Sequence, residues 1–403
     1  MARNVALYPW FNLFQNLTFW QSVWFLFFQN ELSAAAAIVL YALYDIAVTL
    51  VEVPSGYMSD RLGRRKTLIL SAFTGVLGTV LIVWGSTFEV FVVAIVLLGG
   101  GRAFSSGTDS ALLYESLAAN GRGEEVEAQE TRSWQYTLWG LAFSAVMGGV
   151  LASYAFEWAF VATAVSFVIA LGIAWHFAEP PHHTPDPADQ GLRGQLRHIR
   201  QALAQPVLVW LLLLAAVMYA FSHVPFVFGQ PFIAEALAGQ GWSAEAPIVS
   251  GSVSAAMMLV SVAASLCALW LRHRIGLPAI LMLSFGIQIG LIVTLALTNS
   301  VFAIVVLFLR MVPDSWSYPF IVARIQPLLN DAGRATYLSV QSFAGRLLLA
   351  GSLLLAAGQT RSEAPMAYAE LQMTLGFYAL AGLACFAALL ALVRWAHVEP
   401  VQH

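Results

Sequence analysis

Gly56-Tyr57-Met58-Ser59-Asp60-Arg61-Leu62-Gly63-Arg64-Arg65-Lys66 is the stretch on which the fold of this chain turns. It lies between apolar runs at 34–57 and 67–86, each long enough to cross a bilayer as a helix. A dense cationic cluster between two such runs reads as a short loop at a membrane face. Gly63 permits a tight turn there. Asp60 and the arginines are suited to charge-assisted bonds with neighbouring helix ends.

Working outward, the composition agrees with a membrane setting. The 403 residues are 59% hydrophobic and 10% charged, against about 45–50% apolar and about 25% charged in soluble domains. That excludes a water-soluble globule. Apolar runs bounded by Gly, Pro or charge fall at 12–32, 34–57, 67–86, 89–117, 132–155, 157–178, 206–235, 247–271, 277–298, 300–328, 336–358 and 370–395, giving twelve expected transmembrane helices. The runs 89–117 and 300–328 exceed a bilayer and carry charge, so each must tilt or protrude. Of the 19 basic residues, all but Arg361, Arg102, Arg310 and Arg346 fall on the side of the membrane that holds the N-terminus. By the positive-inside bias both termini are expected in the cytoplasm. No small-residue cleavage site follows the first stretch, which Pro9, Asn12, Gln15 and Asn16 interrupt, so no cleaved signal is expected.

The one long polar connection, 179–205, divides the chain into six spans and six. Its proline-rich first part reads as a linker, and Leu192 to Ala204 as a short amphipathic helix on the membrane surface. The expected domains are therefore an N-terminal bundle over 1–178, the linker over 179–205 and a C-terminal bundle over 206–403. Cys267 and Cys385 lie in apolar runs, and His182 and His183 in the linker, which makes a disulfide framework or metal site unexpected. The halves repeat weakly: Arg61-Leu62-Gly63 after the second span is matched by Arg274-Ile275-Gly276 after the eighth, and Arg102 in the fourth span by Arg310 in the tenth. Internal duplication of this kind characterises transporters that rock two halves about a central site.

The loop of the opening sentence resembles the G-x-x-x-D-R-x-G-R-R signature of the major facilitator superfamily, with Gly56, Asp60, Arg61, Gly63, Arg64 and Arg65 all in register. The lead-in Glu52-Val53-Pro54-Ser55-Gly56 resembles drug-exporter-like branches. Ala145-Val146-Met147-Gly148-Gly149 keeps the glycine pair of the exporters' fifth-span element and lacks its Gly-Pro. Arg102-Ala103-Phe104-Ser105-Ser106-Gly107 departs from the fourth-span R-x-x-Q-G element by one extra residue and no Gln. The resemblance implies an all-α membrane fold with two pseudo-symmetric six-helix halves, and alternating access. It also implies a conformational latch of Gly56, Asp60, Arg61, Gly63, Arg64 and Arg65, with Glu115 as the carboxylate partner.

Ionisable groups inside spans are costly and are functional candidates by default. Asp45 lies eleven residues before Gly56, roughly 16 Å along the second span at about 1.5 Å per residue. Arg102 and Asp109 are seven apart, which on a continuous helix puts them on one face with Ser106 between. Arg310 and Asp314 are four apart, a spacing that permits contact. Arg346 reaches a depth like that of Asp45, and the resemblance implies that spans two and eleven meet, so Asp45 and Arg346 are expected to pair. The seventh span is expected to break at Ser222-His223-Val224-Pro225 and again at Pro231. Proton-coupling candidates are Asp45, Asp109, Asp314 and His223. Substrate candidates are Asn16, Trp20, Arg102, Ser106, Arg310 and Trp316. The expected function is proton-coupled export of an amphipathic organic small molecule. It would run without cofactor, metal or nucleic acid, by a multi-pass monomer in the bacterial inner membrane. An uptake symporter, a lysolipid flippase of the same fold and a non-transporting receptor are the alternatives, and no set of catalytic residues suggests an enzyme.

Overall fold

The computed structural model describes residues 1–181, 200–325, 328–329, 331–360 and 366–398. The expected amphipathic helix over 192–204 lies largely outside them, as do His182, His183 and Arg361. Every regular element among the described residues is helical. Among the described residues, eleven helical segments are long and apolar enough to cross a membrane, and the chain divides into two compact units. One comprises Met1–Thr184 with Ala244–Ala255, the other Pro185–Ser243, Ala256–Ser362 and Met366–His403.

The first unit begins with α1 (Ala2–Gln15), a 3-10 turn over Phe19–Ser22 and α2 (Trp24–Glu31). The expected span at 12–32 is therefore a broken rod that starts ten residues earlier than its apolar run. Polarity explains the early start. Asn4, Tyr8, Asn12 and Gln15 form a stripe at three- and four-residue spacing, and each reaches a neighbouring helix. Asn4 Nδ2 donates to Ser116 Oγ (2.8 Å), Tyr8 Oη to Glu130 Oε2 (3.0 Å), Asn12 Nδ2 to Ser133 Oγ (2.8 Å) and Gln15 Nε2 to Ser71 Oγ (2.9 Å). These bonds satisfy amides that lipid would not.

Next come α3 (Ala34–Leu62), α4 (Arg64–Trp84), α5 (Phe88–Ser105), α6 (Thr108–Ala118), α7 (Val126–Tyr154) and α8 (Phe156–His176). Ser33 caps α3 by accepting from the Ala36 amide (3.1 Å). Helix α5 packs against α3 and α4, and α4 against α8. Small residues make this possible. A Cβ on Gly99 would stand 2.8 Å from the Tyr44 carbonyl, and one on Gly101 2.8 Å from Thr74 Oγ1. The fourth span does not run through: Ser106 and Gly107 (φ +76°) separate α5 from α6.

The second unit holds α9 (Pro206–Ala238), α10 (Ala246–Ile275), α11 (Leu277–Leu297), a 3-10 segment over Val301–Leu309, α12 (Val312–Ile325), α13 (Asp331–Gln359) and α14 (Tyr368–Ala396). Only the start of α10, as far as Ala255, belongs to the first unit. Helix α9 packs on α13 and α14, and α11 on α12 and α14. The expected break in the seventh span is absent: α9 continues through Pro225 and Pro231. Each proline deletes one backbone hydrogen bond. Val224, Pro225, Val227 and Phe228 are buried, so neighbouring helices support the helix through both prolines. Irregular backbone falls instead in the first, fourth and tenth spans.

Local geometry repeats within the chain. Gly63 (φ +101°, ψ 153°) and Gly276 (φ +87°, ψ 163°) each sit immediately before the next helix, in a conformation that only glycine adopts readily. A second repeat was not read from sequence. Gly121 and Gly241 close α6 and α9 with the same pair of bonds: Arg122 N to Leu117 O and Gly121 N to Ala118 O in one, Trp242 N to Leu237 O and Gly241 N to Ala238 O in the other. A 3-10 turn follows each, over Gly123–Glu125 and Ser243–Glu245.

Candidate functional site

The charged loop organises one end of the first unit. Arg64, at the first position of α4, is its hub. Its Nη2 and Nε donate to Glu115 Oε1 on α6 (2.9 and 3.1 Å), and its Nη1 to Asp60 Oδ1 (2.6 Å) and Ser59 Oγ (2.8 Å) on α3. Arg64 and Glu115 are largely shielded, whereas Asp60 is half-exposed. Arg65 Nη2 donates to the Trp175 carbonyl on α8 (2.8 Å), and Arg61 stacks over Tyr57 (5.1 Å). Gly56 has open space where a side chain would stand.

Glu179, which sequence reasoning treated only as the first residue of a linker, completes this end. Its carboxylate accepts from the Arg64 amide (Oε1, 2.6 Å) and the Arg65 amide (Oε2, 3.1 Å), capping the free N–H groups and positive dipole end of α4. Gly63 makes room for it: a Cβ there would meet the Glu179 carboxylate at 2.6 Å. The signal available in sequence was an acid directly before a proline at the end of an apolar run.

Inside the first unit, Asp45 on α3 is buried, at 2% exposure. Asn16 and Trp20 sit at the break between α1 and α2. Asn16 Nδ2 is spent on the Asn12 carbonyl (2.8 Å), and Trp20 lies parallel to Phe160 (6.3 Å between ring centres). The break at Ser106-Gly107 corrects the expectation that Arg102, Ser106 and Asp109 share one continuous helix face. Arg102 lies in the last turn of α5 and Asp109 in the first turn of α6, where its Oδ1 accepts from the Ser110 amide (2.9 Å). Tyr8 Oη stands between Glu130 and Ser110 Oγ (3.5 Å). Tyr8 and Glu130 were not singled out in sequence, because Glu130 precedes the apolar run of its span.

The second unit contains a cavity of about 430 Å³ between α9, α12 and α13. Its polar lining is Ser222 and His223 from α9, Asp314 and Ser317 from α12, and Gln341 and Ser342 from α13. Tyr219 and Tyr318 supply aromatic walls. His223 Nδ1 lies 2.7 Å from the Tyr219 carbonyl, which only accepts, so Nδ1 carries the proton and Nε2 of the neutral ring is an acceptor. Gln288 Nε2 donates to Asp314 Oδ1 (3.4 Å).

Arg310 and Asp314 do not meet as helix neighbours. Arg310 lies at the joint between the 3-10 segment and α12, its Nη1 donating to the Ser222 carbonyl (3.3 Å) and its guanidinium over Phe226 (5.1 Å). Arg346 lies over the Tyr219 ring (5.5 Å), with Nε directed at Ser342 Oγ (3.4 Å). Trp316 does not line the cavity; its Nε1 donates to the Ala264 carbonyl on α10 (2.8 Å).

Two bundles of membrane-length helices, broken spans, an arginine-hubbed loop and a cavity in the second unit fit a multi-pass membrane transporter. Residues 9–353 match the Major Facilitator Superfamily, and the chain belongs to that family. No curated protein matches it in sequence. Similar solved structures include the nucleoside transporter NupG (TM-score 0.74, 15% identity, 96% of this chain and 98% of that one). The peptide transporter POT in complex with sulfate is also similar (0.73, 11%, 98% and 96%), as is a D-xylose-proton symporter (0.64, 15%, 94% and 96%). At these identities the likeness is one of fold.

Proposed function

We propose that this protein is a proton-coupled exporter of amphipathic organic small molecules, with twelve spans and cytoplasmic termini, working as a monomer in a bacterial inner membrane. The observation that carries the reading is the conjunction of a family-wide match with three carboxylates in spans: Asp45, which is buried, Asp109, which is half-buried, and Asp314, which lines the second unit's cavity. A buried carboxylate alternating between charged and neutral forms is the simplest carrier for a proton, and its environment must change as the halves rock. The arginine-hubbed loop serves as the latch whose making and breaking biases that motion.

Asp45 and Asp109 carry the proton in this account, and Asp314 takes part in holding substrate. Asp45→Asn or Asp109→Asn is expected to remove gradient-driven accumulation in proteoliposomes while sparing substrate exchange at equilibrium. If both variants still concentrate substrate, the proton travels elsewhere. Uptake by proton symport is the second reading, favoured by the fold's likeness to a D-xylose-proton symporter. The sign of proton movement during substrate flux separates the two, since antiport and symport move protons in opposite directions relative to the cargo.

A further inference from the structure

Asn4, in the first turn of α1, is fully buried and holds the residue beside each of the two carboxylates that grip Arg64. Its Nδ2 donates to Ser116 Oγ (2.8 Å), and Ser116 directly follows Glu115 on α6. The same Nδ2 donates to the Ala178 carbonyl (2.7 Å), and Oδ1 accepts from the Ala178 amide (2.8 Å). Ala178 directly precedes Glu179. A side-chain amide thus pairs with a peptide group through both N–H and C=O, which fixes direction as well as distance. Helix α8 ends at His176, so Ala178 takes its orientation from Asn4 and not from the helix ladder. Phe177, 1% exposed, shares an apolar cluster with Phe11 of α1, Leu68 of α4 and Leu112 of α6. The same four elements are therefore joined by packing and by buried polar bonds, which low dielectric strengthens.

We propose that Asn4 is a positioning residue of the latch, setting where Glu115 and Glu179 stand relative to Arg64. None of its hydrogen bonds goes to those three residues. It acts on Glu115 through α6, and on Glu179 through the chain that follows α8. The contacts close a ring from the Arg64 side chain through Glu115, Ser116, Asn4, Ala178 and Glu179 to the Arg64 amide. A displacement of α1 must then move both carboxylates together or break a buried hydrogen bond, which is costly. The joint at Gly107 lets α6 follow without dragging α5. Asparagine suits the position because an aspartate has no donor for the Ala178 carbonyl, and an apolar residue has neither group. The first span is in this way tied to the loop. This inference rests on the transport reading, since a latch has a task only in a protein whose halves move.

The test is hydrogen–deuterium exchange on the full chain in lipid nanodiscs, beside initial-rate flux in proteoliposomes. Asn4→Ala is expected to speed exchange at least about tenfold at the Arg64 and Arg65 amides, which Glu179 caps, and across α6. Asn12→Ala is the control. It removes one buried bond from the same helix, to Ser133 (2.8 Å), and should leave both regions at the wild-type rate. Ser116→Ala, a milder change, should loosen α6 while the Arg64 and Arg65 amides stay protected, which keeps the test decisive if Asn4→Ala folds poorly. In a Glu179→Ala background, Asn4→Ala should add no further exchange at those amides. Maximal flux is expected to fall about tenfold in Asn4→Ala at unchanged KM, because no substrate contact is removed. Unchanged exchange at Arg64 and Arg65 in Asn4→Ala, an equal rise in Asn12→Ala, an unmoved α6 in Ser116→Ala, additivity with Glu179→Ala, or undiminished flux in Asn4→Ala would each overturn the proposal. Exchange reads the ring without any cargo. The expected exchange pattern in a chain that moves no compound therefore sinks the transport reading alone, and flux without that pattern sinks this inference alone.

Discussion

Gly63 shows how one residue couples backbone to charge. Its φ of +101° is strained for any side chain, and its missing Cβ is the space in which Glu179 caps α4. Gly121 provides a control, with φ +68° and nothing within 4 Å. Gly63→Ala is therefore expected to lower stability by about 2–3 kcal/mol and Gly121→Ala by only about 1 kcal/mol, measured by thermal denaturation in detergent. Equal losses would show that Glu179 does not need the space. At Arg64 the fork geometry matters. Nε and Nη2 reach Glu115 while Nη1 serves Asp60 and Ser59, which a lysine cannot reproduce. Arg64→Lys is expected to lose transport nearly as fully as Arg64→Ala, with insertion into the membrane retained. Wild-type flux in the lysine variant would reduce the cluster to bulk charge. Asp60, Arg64 and Glu115 stood out in sequence because charge is scarce in this chain. Glu179 and Tyr8 did not, since their roles depend on which helix ends and faces meet in space.

Among the elements, apolar runs located the spans well because a bilayer demands about 20 apolar residues, but they said little about continuity within a span. Proline drew attention to the seventh span, yet α9 is unbroken because its neighbours bury the prolines' surroundings. The breaks fall at Asn16–Val23, Ser106–Gly107 and Arg310–Met311, where the sequence holds amides, serines, a glycine and a charge. The joint at Gly107 is open, with no atom within 4 Å of a built Cβ, so its glycine serves backbone freedom alone. Gly107→Ala is expected to cost about 1 kcal/mol of stability, with a larger proportional loss in transport turnover, because α6 carries both Asp109 and Glu115. Initial-rate flux beside a melting curve separates the two effects. Unchanged turnover would make the joint a static kink.

For the whole molecule, the repeated glycine turns at Gly63 and Gly276 echo the duplication faintly visible in sequence, and the matched caps at Gly121 and Gly241 add a repeat that periodicity could not reveal. Such internal repeats are what alternating access is built from. The proposed pairing of Asp45 with Arg346, which rests on sequence depth, predicts that the Asp45→Ala, Arg346→Ala double variant loses less transport than the sum of the single losses. Strict additivity in that double-mutant cycle would show independent action. The most direct measurement of the central claim is flux in proteoliposomes carrying the purified chain, under an imposed pH gradient, across a panel of amphipathic organic compounds. At least one compound is expected to accumulate above protein-free vesicles, with accumulation abolished by a protonophore and by Asp60→Asn. Flux indistinguishable from protein-free vesicles across the panel, or accumulation that survives collapse of the gradient, would contradict proton-coupled transport.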